Sequence, residues 1–124
     1  MRISEVYPKL EEYLLSLKGV ETEYDKKACE KKFLLKGKMF CAFCCDDTEQ
    51  TLITVRCEPE FNELMRSAYS KLIIPGVNMN KAHWSSIIPD LDIPYEVVRK
   101  MCYRGYNLIF KSLPEKTQKK IMGK

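Results

Sequence analysis

Three strand-like runs joined by connections of a few residues constrain this chain more than any other feature. Ala28 to Leu35 places Cys29, Phe33 and Leu35 on one face of an extended segment. Met39 to Cys45 is almost continuously apolar, and Thr51 to Cys57 alternates with Ile53, Val55 and Cys57 on one side. Lys36-Gly37-Lys38 separates the first two runs, with a glycine where positive φ is needed. The polar stretch Asp46-Asp47-Thr48-Glu49-Gln50 separates the second and third. Parallel strands need a crossover of roughly a dozen residues or more, so these connections dictate an antiparallel meander.

Helical spacing brackets the meander. Ile3, Val6, Leu10, Tyr13, Leu14 and Leu17 form one stripe, with Ser4 as N-cap and Gly19 as the stop. Pro8 sits awkwardly within it, because proline beyond the first turn removes an intrahelical bond. Glu58-Pro59-Glu60 opens a second helix with the stripe Phe61, Leu64, Met65 and Ala68, which Ile74-Pro75-Gly76 breaks. Val77 to Asn80 reads as a short extended stretch and Ala82 to Ile88 as a further strand. Asp92-Ile93-Pro94 opens a third helix carrying Val98, Met101, Cys102, Gly105, Leu108 and Ile109 on one stripe. Ser112-Leu113-Pro114-Glu115 has capping-box form and starts a last helix ending near Gly123. The order α-β-β-β-α-β(β)-α-α predicts an α+β two-layer sandwich, an antiparallel sheet with helices on one face.

The 124 residues suit a single domain over 1–124. No apolar run approaches the roughly 20 residues that span a bilayer, so no membrane partner is expected. Met1-Arg2-Ile3-Ser4-Glu5 does not read as a secretory signal. The six cysteines, mostly in apolar runs, then read as reduced thiols of a cytoplasmic protein. Net charge is +4, but residues 96–124 carry eight bases against two acids, so the basic excess belongs to the C-terminal region. Such an excess can attract phosphate, and it also suits a solvated helix face.

The stretch Ile74-Pro75-Gly76-Val77-Asn78-Met79-Asn80-Lys81-Ala82-His83-Trp84-Ser85-Ser86-Ile87 resembles the signature of the MmcQ/YjbR family. Lys36-Gly37-Lys38-Met39-Phe40-Cys41-Ala42 resembles that family's hairpin, and Cys57-Glu58-Pro59-Glu60 its strand-to-helix junction. Tyr106-Asn107-Leu108 through Leu113-Pro114 resembles its C-terminal elements, with Gly105 where the family commonly has Ser. The resemblance implies a CyaY-like, frataxin-type fold and a DNA-binding role. It does not reproduce an acidic iron ridge, because Glu5, Glu11 and Glu12 are interspersed with Lys9 and Lys18.

Candidate site residues fall into two groups. Lys36, Lys38, Lys81, Lys116, Lys119 and Lys120 are candidates for nucleic-acid phosphates, the last three lying on one side of a helix. Asn80, His83 and Trp84 are ligand-site candidates: Trp84 could stack on a base, or lie in the core between sheet and helix with Asn80 shaping a turn. His83 is the only histidine, and no nucleophile elbow, Walker or Rossmann fingerprint accompanies it, so catalysis is not expected. Cys41-x-x-Cys44-Cys45 sends its thiols to opposite faces of a strand, which suits packing better than a tetrahedral metal site. The expected function is therefore a non-catalytic binding domain without cofactor, monomeric or weakly dimeric, with weak affinity for DNA. The alternative is a protein- or small-ligand-interaction module with no nucleic-acid role.

Overall fold

The computed structural model describes residues 2–123. Six strands form one antiparallel sheet in the order β1-β2-β3-β4-β6-β5: β1 Val20–Asp25, β2 Glu30–Leu35, β3 Lys38–Cys45, β4 Thr51–Arg56, β5 Ile73–Pro75 and β6 Trp84–Ile87. Helices α1 (Ile3–Val6), α2 (Leu10–Ser16), α3 (Pro59–Ala68), α4 (Tyr95–Ser112) and α5 (Glu115–Ile121) complete the chain. The expected α+β sandwich is the observed architecture.

Phe33 and Leu35 of β2, Ile53 and Val55 of β4 and Ile87 of β6 face α4, whose Val98, Met101, Cys102, Tyr106 and Ile109 close the core. A β-bulge between Phe33 and Leu34 shifts the β2–β3 register, so Phe40 and Cys41 both turn inward. The shift breaks the simple alternation of β3 and gives α4 an aromatic contact with the sheet, Phe40 edge-on to Tyr106 at 5.6 Å between ring centroids.

Gly105 explains how closely α4 lies on the sheet. A Cβ there would stand 2.6 Å from the Arg56 carbonyl oxygen and 3.1 Å from that of Phe40. Any side chain at this point would meet the same carbonyls, so the glycine is what permits the close helix–sheet approach.

Several sequence expectations are corrected. The first helix is two pieces, because Tyr7-Pro8-Lys9 interrupts the ladder. Ser4 lies inside α1 rather than capping it; Glu5 Oε1 instead accepts from the Arg2 amide at 2.9 Å. Tyr7 uses the break, sharing its hydroxyl proton between the carbonyls of Asp90 and Ile93. Cys29 sits exposed in a turn with φ 51°, not on the Phe33 face. The strand Ala82 to Ile88 is shorter, Trp84–Ile87, and Val77 to Asn80 is a turn region rather than extended. Ser112 belongs to α4 and donates back to the Ile109 carbonyl, so no capping box forms and α5 begins after Pro114. Strand β1 was not expected: five of its six residues are exposed, so it carries no apolar alternation to read.

Candidate binding surface

Strand register decides which charged residues meet. The β2–β3 connection is a two-residue hairpin, Lys36 at φ 51° and Gly37 at φ 79°, so Lys36 and Lys38 flank one tip. β4 runs antiparallel to β3 and β6, and Arg56 pairs with Trp84. The end of β4 and the start of β6 therefore lie on the same rim of the sheet as that hairpin. Lys81 joins this rim three residues before β6, exposed, its Nζ donating to the Gly76 carbonyl at 3.4 Å. Lys38 and Arg56 line a common depression with Leu108, Ile109 and Ser112.

Helix α5 docks beside the same rim. A Cβ on Gly19 would approach both Leu35, the last residue of β2, and Ile121, the last of α5, at 3.0 and 3.1 Å. Lys116, Lys119 and Lys120 are exposed there, and Lys119 pairs with Glu115 at 3.5 Å. Glu58 near this rim is engaged by Arg104 through two hydrogen bonds of 2.9 and 3.2 Å. The opposite rim carries Asp25, Glu30, Asp46, Asp47 and Glu49 together with Lys26, Lys27 and Lys71, while Glu21 of β1 stands beside the basic hairpin. The sheet is thus polarised along its strands.

Asn80, His83 and Trp84 do not converge on a ligand pocket. Asn80 Oδ1 accepts the amides of Ala82 and His83, shaping the turn that delivers the chain to β6. His83 is half-buried just before β6, and its carbonyl accepts from the Cys57 amide at 3.0 Å. Its imidazole forms no hydrogen bond with another described side chain. Trp84 is only 7% exposed, but the Arg56↔Trp84 and Thr54↔Ser86 pairs turn it to the face away from the helices. The expectation of an indole between sheet and helix is corrected: Trp84 stands outside the apolar core, against Gly76, where a Cβ would come within 2.7 Å of its own.

Sequence reasoning missed the residues that hold this segment. Helix α3 buries Asn62, which is fully enclosed, while Leu64 of the expected stripe is 59% exposed. Asn62 Nδ2 donates to the carbonyls of Cys57 (3.1 Å) and Ala82 (3.0 Å), and its Oδ1 accepts from the Ser85 hydroxyl (2.7 Å). Arg66, one turn on, donates to Ser85 Oγ and to the carbonyls of Lys81 and Trp84. Burial pulls its guanidinium pKa below the ordinary value. On the other face Thr54 and Ser86 share a 2.9 Å hydrogen bond, and Ser86 Oγ accepts the Val77 amide. Glu58, Asn62 and Arg66 at steps of four residues from the helix start were the only available sign.

Burial raises the thiol pKa of Cys41 and Cys57, so both are neutral packing groups, with Cys41 Sγ 3.9 Å from Cys102 Sγ. No group of three His, Cys, Asp or Glu side chains among the described residues is placed to hold a metal ion.

The signature turn, the Lys-Gly-Lys hairpin and the α4 elements occur here in one polarised sandwich, and the YjbR family profile matches residues 15–108. The chain belongs to the YjbR family. Two Escherichia coli relatives are each 30% identical: uncharacterized protein YbdF of strain O157:H7 over 69 residues, and uncharacterized protein YjbR of strain K12 over 67. The matched stretches span 56% and 54% of this chain and 56% of each relative, so the chain spans about half the length of these curated relatives. The crystal structure of Deinococcus radiodurans protein DR2400 superposes with a TM-score of 0.80 over 94% of this chain and 86% of its own, at 22% identity. A Pseudomonas syringae protein superposes at 0.65 over 87% of this chain and 98% of its own, at 15% identity. These likenesses establish the sandwich. No helix of the described residues is long and apolar enough to cross a membrane.

Proposed function

We propose that this YjbR domain is a non-catalytic, cytoplasmic binding module, monomeric or weakly dimeric, whose basic rim takes the phosphate backbone of nucleic acid weakly and without sequence preference. One observation carries the reading: strand register brings Lys36, Lys38, Arg56 and Lys81 to one end of the sheet, where α5 adds Lys116, Lys119 and Lys120. Cations gathered at one edge bind phosphates and release counterions. No helix on that rim is free to enter a major groove, since α4 is packed on the sheet and α5 has seven residues. Contact would then be to backbone, which positions but does not specify. A frataxin-type reading would bring iron instead, but Glu11 of α2 is already paired with Lys31.

Titration of labelled DNA across salt concentrations tests this. Log affinity for duplex should fall with log salt at a slope near −0.9 for each phosphate engaged. Reversing Lys36, Lys38 and Lys81 to glutamate should flatten that slope by about 1 for each phosphate no longer engaged, while leaving the fold intact. Salt-insensitive binding, or none, rejects the reading.

A second reading, a small-ligand or protein module without a nucleic-acid role, has its own observation. The outer face holds an open depression of about 270 Å³ beneath the 77–79 turn, lined by Met39, Ala42, Cys44, Thr54, Val77 and Met79.

A further inference from the structure

An aromatic groove lies beside the basic rim. The α2–β1 connection, α4 and the end of α5 enclose about 290 Å³, walled by Leu17, Tyr103, Tyr106, Phe110 and Met122. The three rings form a ladder along α4: Tyr103 to Tyr106 at 6.3 Å between centroids, and Tyr106 to Phe110 stacked at 6.1 Å. Tyr106 is locked in place by its hydroxyl, which donates to the Lys18 carbonyl at 2.6 Å. Tyr103 is 44% exposed, so a ring face remains open.

The polar groups of the groove are as specific as its rings. Asn107 lines it half-buried, and its side-chain amide has no hydrogen-bond partner among the described residues. An amide offers a donor and an acceptor side by side. Lys18 is the one charged lining residue, and no acid lines the groove. Lys100, Tyr103, Asn107 and Lys111 follow one another at steps of three and four residues, so an exposed lysine stands one turn beyond each end of the Tyr103–Asn107 patch.

We infer that this groove takes an unpaired nucleobase of a single strand, stacked on Tyr103 and edge-bonded to Asn107, with neighbouring phosphates on Lys18, Lys100 and Lys111. The inference rests on the basic-rim reading and deepens it by naming the nucleic-acid class. A duplex cannot satisfy the groove, because its base faces are stacked away and its base edges are paired. An apolar peptide could fill the wall and bond Asn107 through its backbone, but it carries no anionic group to meet Lys18, Lys100 and Lys111. A base supplies a flat π-face and a donor–acceptor edge at once, and its phosphates complement the lysines.

The test compares a labelled short oligothymidylate with a duplex of equal length at one salt concentration. Tyr103→Ala should weaken single-strand binding by about tenfold or more, the usual scale for removing one stacking platform, and leave duplex binding nearly unchanged. Tyr103→Phe should restore single-strand binding, because the ring and not the hydroxyl stacks. Asn107→Ala should weaken it without altering the salt slope, whereas Lys100→Gln with Lys111→Gln should flatten the slope. Thermal unfolding of each variant separates these effects from loss of fold. If the lysine variants weaken binding but Tyr103→Ala and Asn107→Ala do not, or if Tyr103→Ala weakens duplex equally, the groove assignment is overturned and the basic rim stands. If neither nucleic acid binds, both fall and a protein segment becomes the occupant to seek.

Discussion

The two halves of the sheet are held by different physics. Strands β2, β3 and β4 lie under α4 and are joined to it by apolar burial: Phe33, Leu35, Phe40, Ile53, Val55 and Met101 are all fully enclosed. The β6–β5 half lies against α3, and beside the buried Ile73 and Ile87 it is tied to that helix by hydrogen bonds from Asn62 and Arg66 to Ser85 and to the carbonyls of Cys57, Lys81, Ala82 and Trp84. Every buried side-chain polar atom of the described residues has a partner, which is the condition for such a half to be stable. An apolar core tolerates re-packing among shapes of similar volume, whereas a polar network demands particular groups at particular positions. The YjbR signature falls on the polar half, which gives a structural reason for its specificity that needs no ligand.

Paired truncations put the contrast at risk. Phe40→Ala in the apolar half should cost about 3–5 kcal/mol by denaturant unfolding, from forfeited transfer energy and the cavity left. Asn62→Ala removes far less apolar surface, yet it strands two carbonyls and a hydroxyl and should cost about 2–3 kcal/mol. A loss under about 0.5 kcal/mol, the range of ordinary surface changes, would show that hydrogen bonds do not hold that half. Gly105→Ala sharpens the comparison where α4 meets the sheet. Alanine gains up to about 1 kcal/mol of helix propensity, but its Cβ meets a backbone carbonyl at 2.6 Å that no rotamer can relieve. Overpacking of this kind costs about 1–3 kcal/mol, so net destabilisation is expected, and a stabilised variant would mean that α4 can lift off the sheet.

The smallest effect should come from neither half. Asp46 Oδ1 in the β3–β4 loop accepts the Thr48 hydroxyl and the amides of Thr48 and Gln50, and the Thr48 hydroxyl bond leads in holding its carboxyl below the usual range. A lowered folded value means that its stabilisation is full above the ordinary carboxylate range near pH ~4 and is lost as pH falls through the folded value. Asp46→Ala should therefore lower Tm slightly at pH 7, and the gap from the unmodified protein should narrow in acid. A gap that widens in acid would reverse that assignment.

Legibility followed the same division. The meander, the Lys36-Gly37 turn and the α4 stripe were readable because burial imposes periods of two and 3.6 residues on the sequence. The stripe erred only at its margin, where Tyr106 takes the buried place expected of Leu108. In α3 the expected stripe held for Phe61 and Met65 but not for Leu64 and Ala68, and it missed Asn62, which is buried for its hydrogen bonds and not for its apolarity. Strand β1 was invisible because an exposed edge strand needs no alternation. Of the candidate site, the lysines were nameable one by one, and so was the turn role of Asn80. The aromatic ladder gave no sign of itself, because Tyr103, Asn107 and Phe110 read as the outer side of a core helix.

The sequence by itself determined the sandwich, its antiparallel order and the family, since these rest on local periodicity, turn chemistry and a contiguous motif. Tertiary structure alone decided that Lys36, Lys38, Arg56 and Lys81 share one rim, that Trp84 faces away from the helices, and that Asn62 joins α3 to β6. Each of these depends on register between strands or helices distant in sequence. A one-residue slip would reverse every face, and no local pattern records which partner a strand will meet.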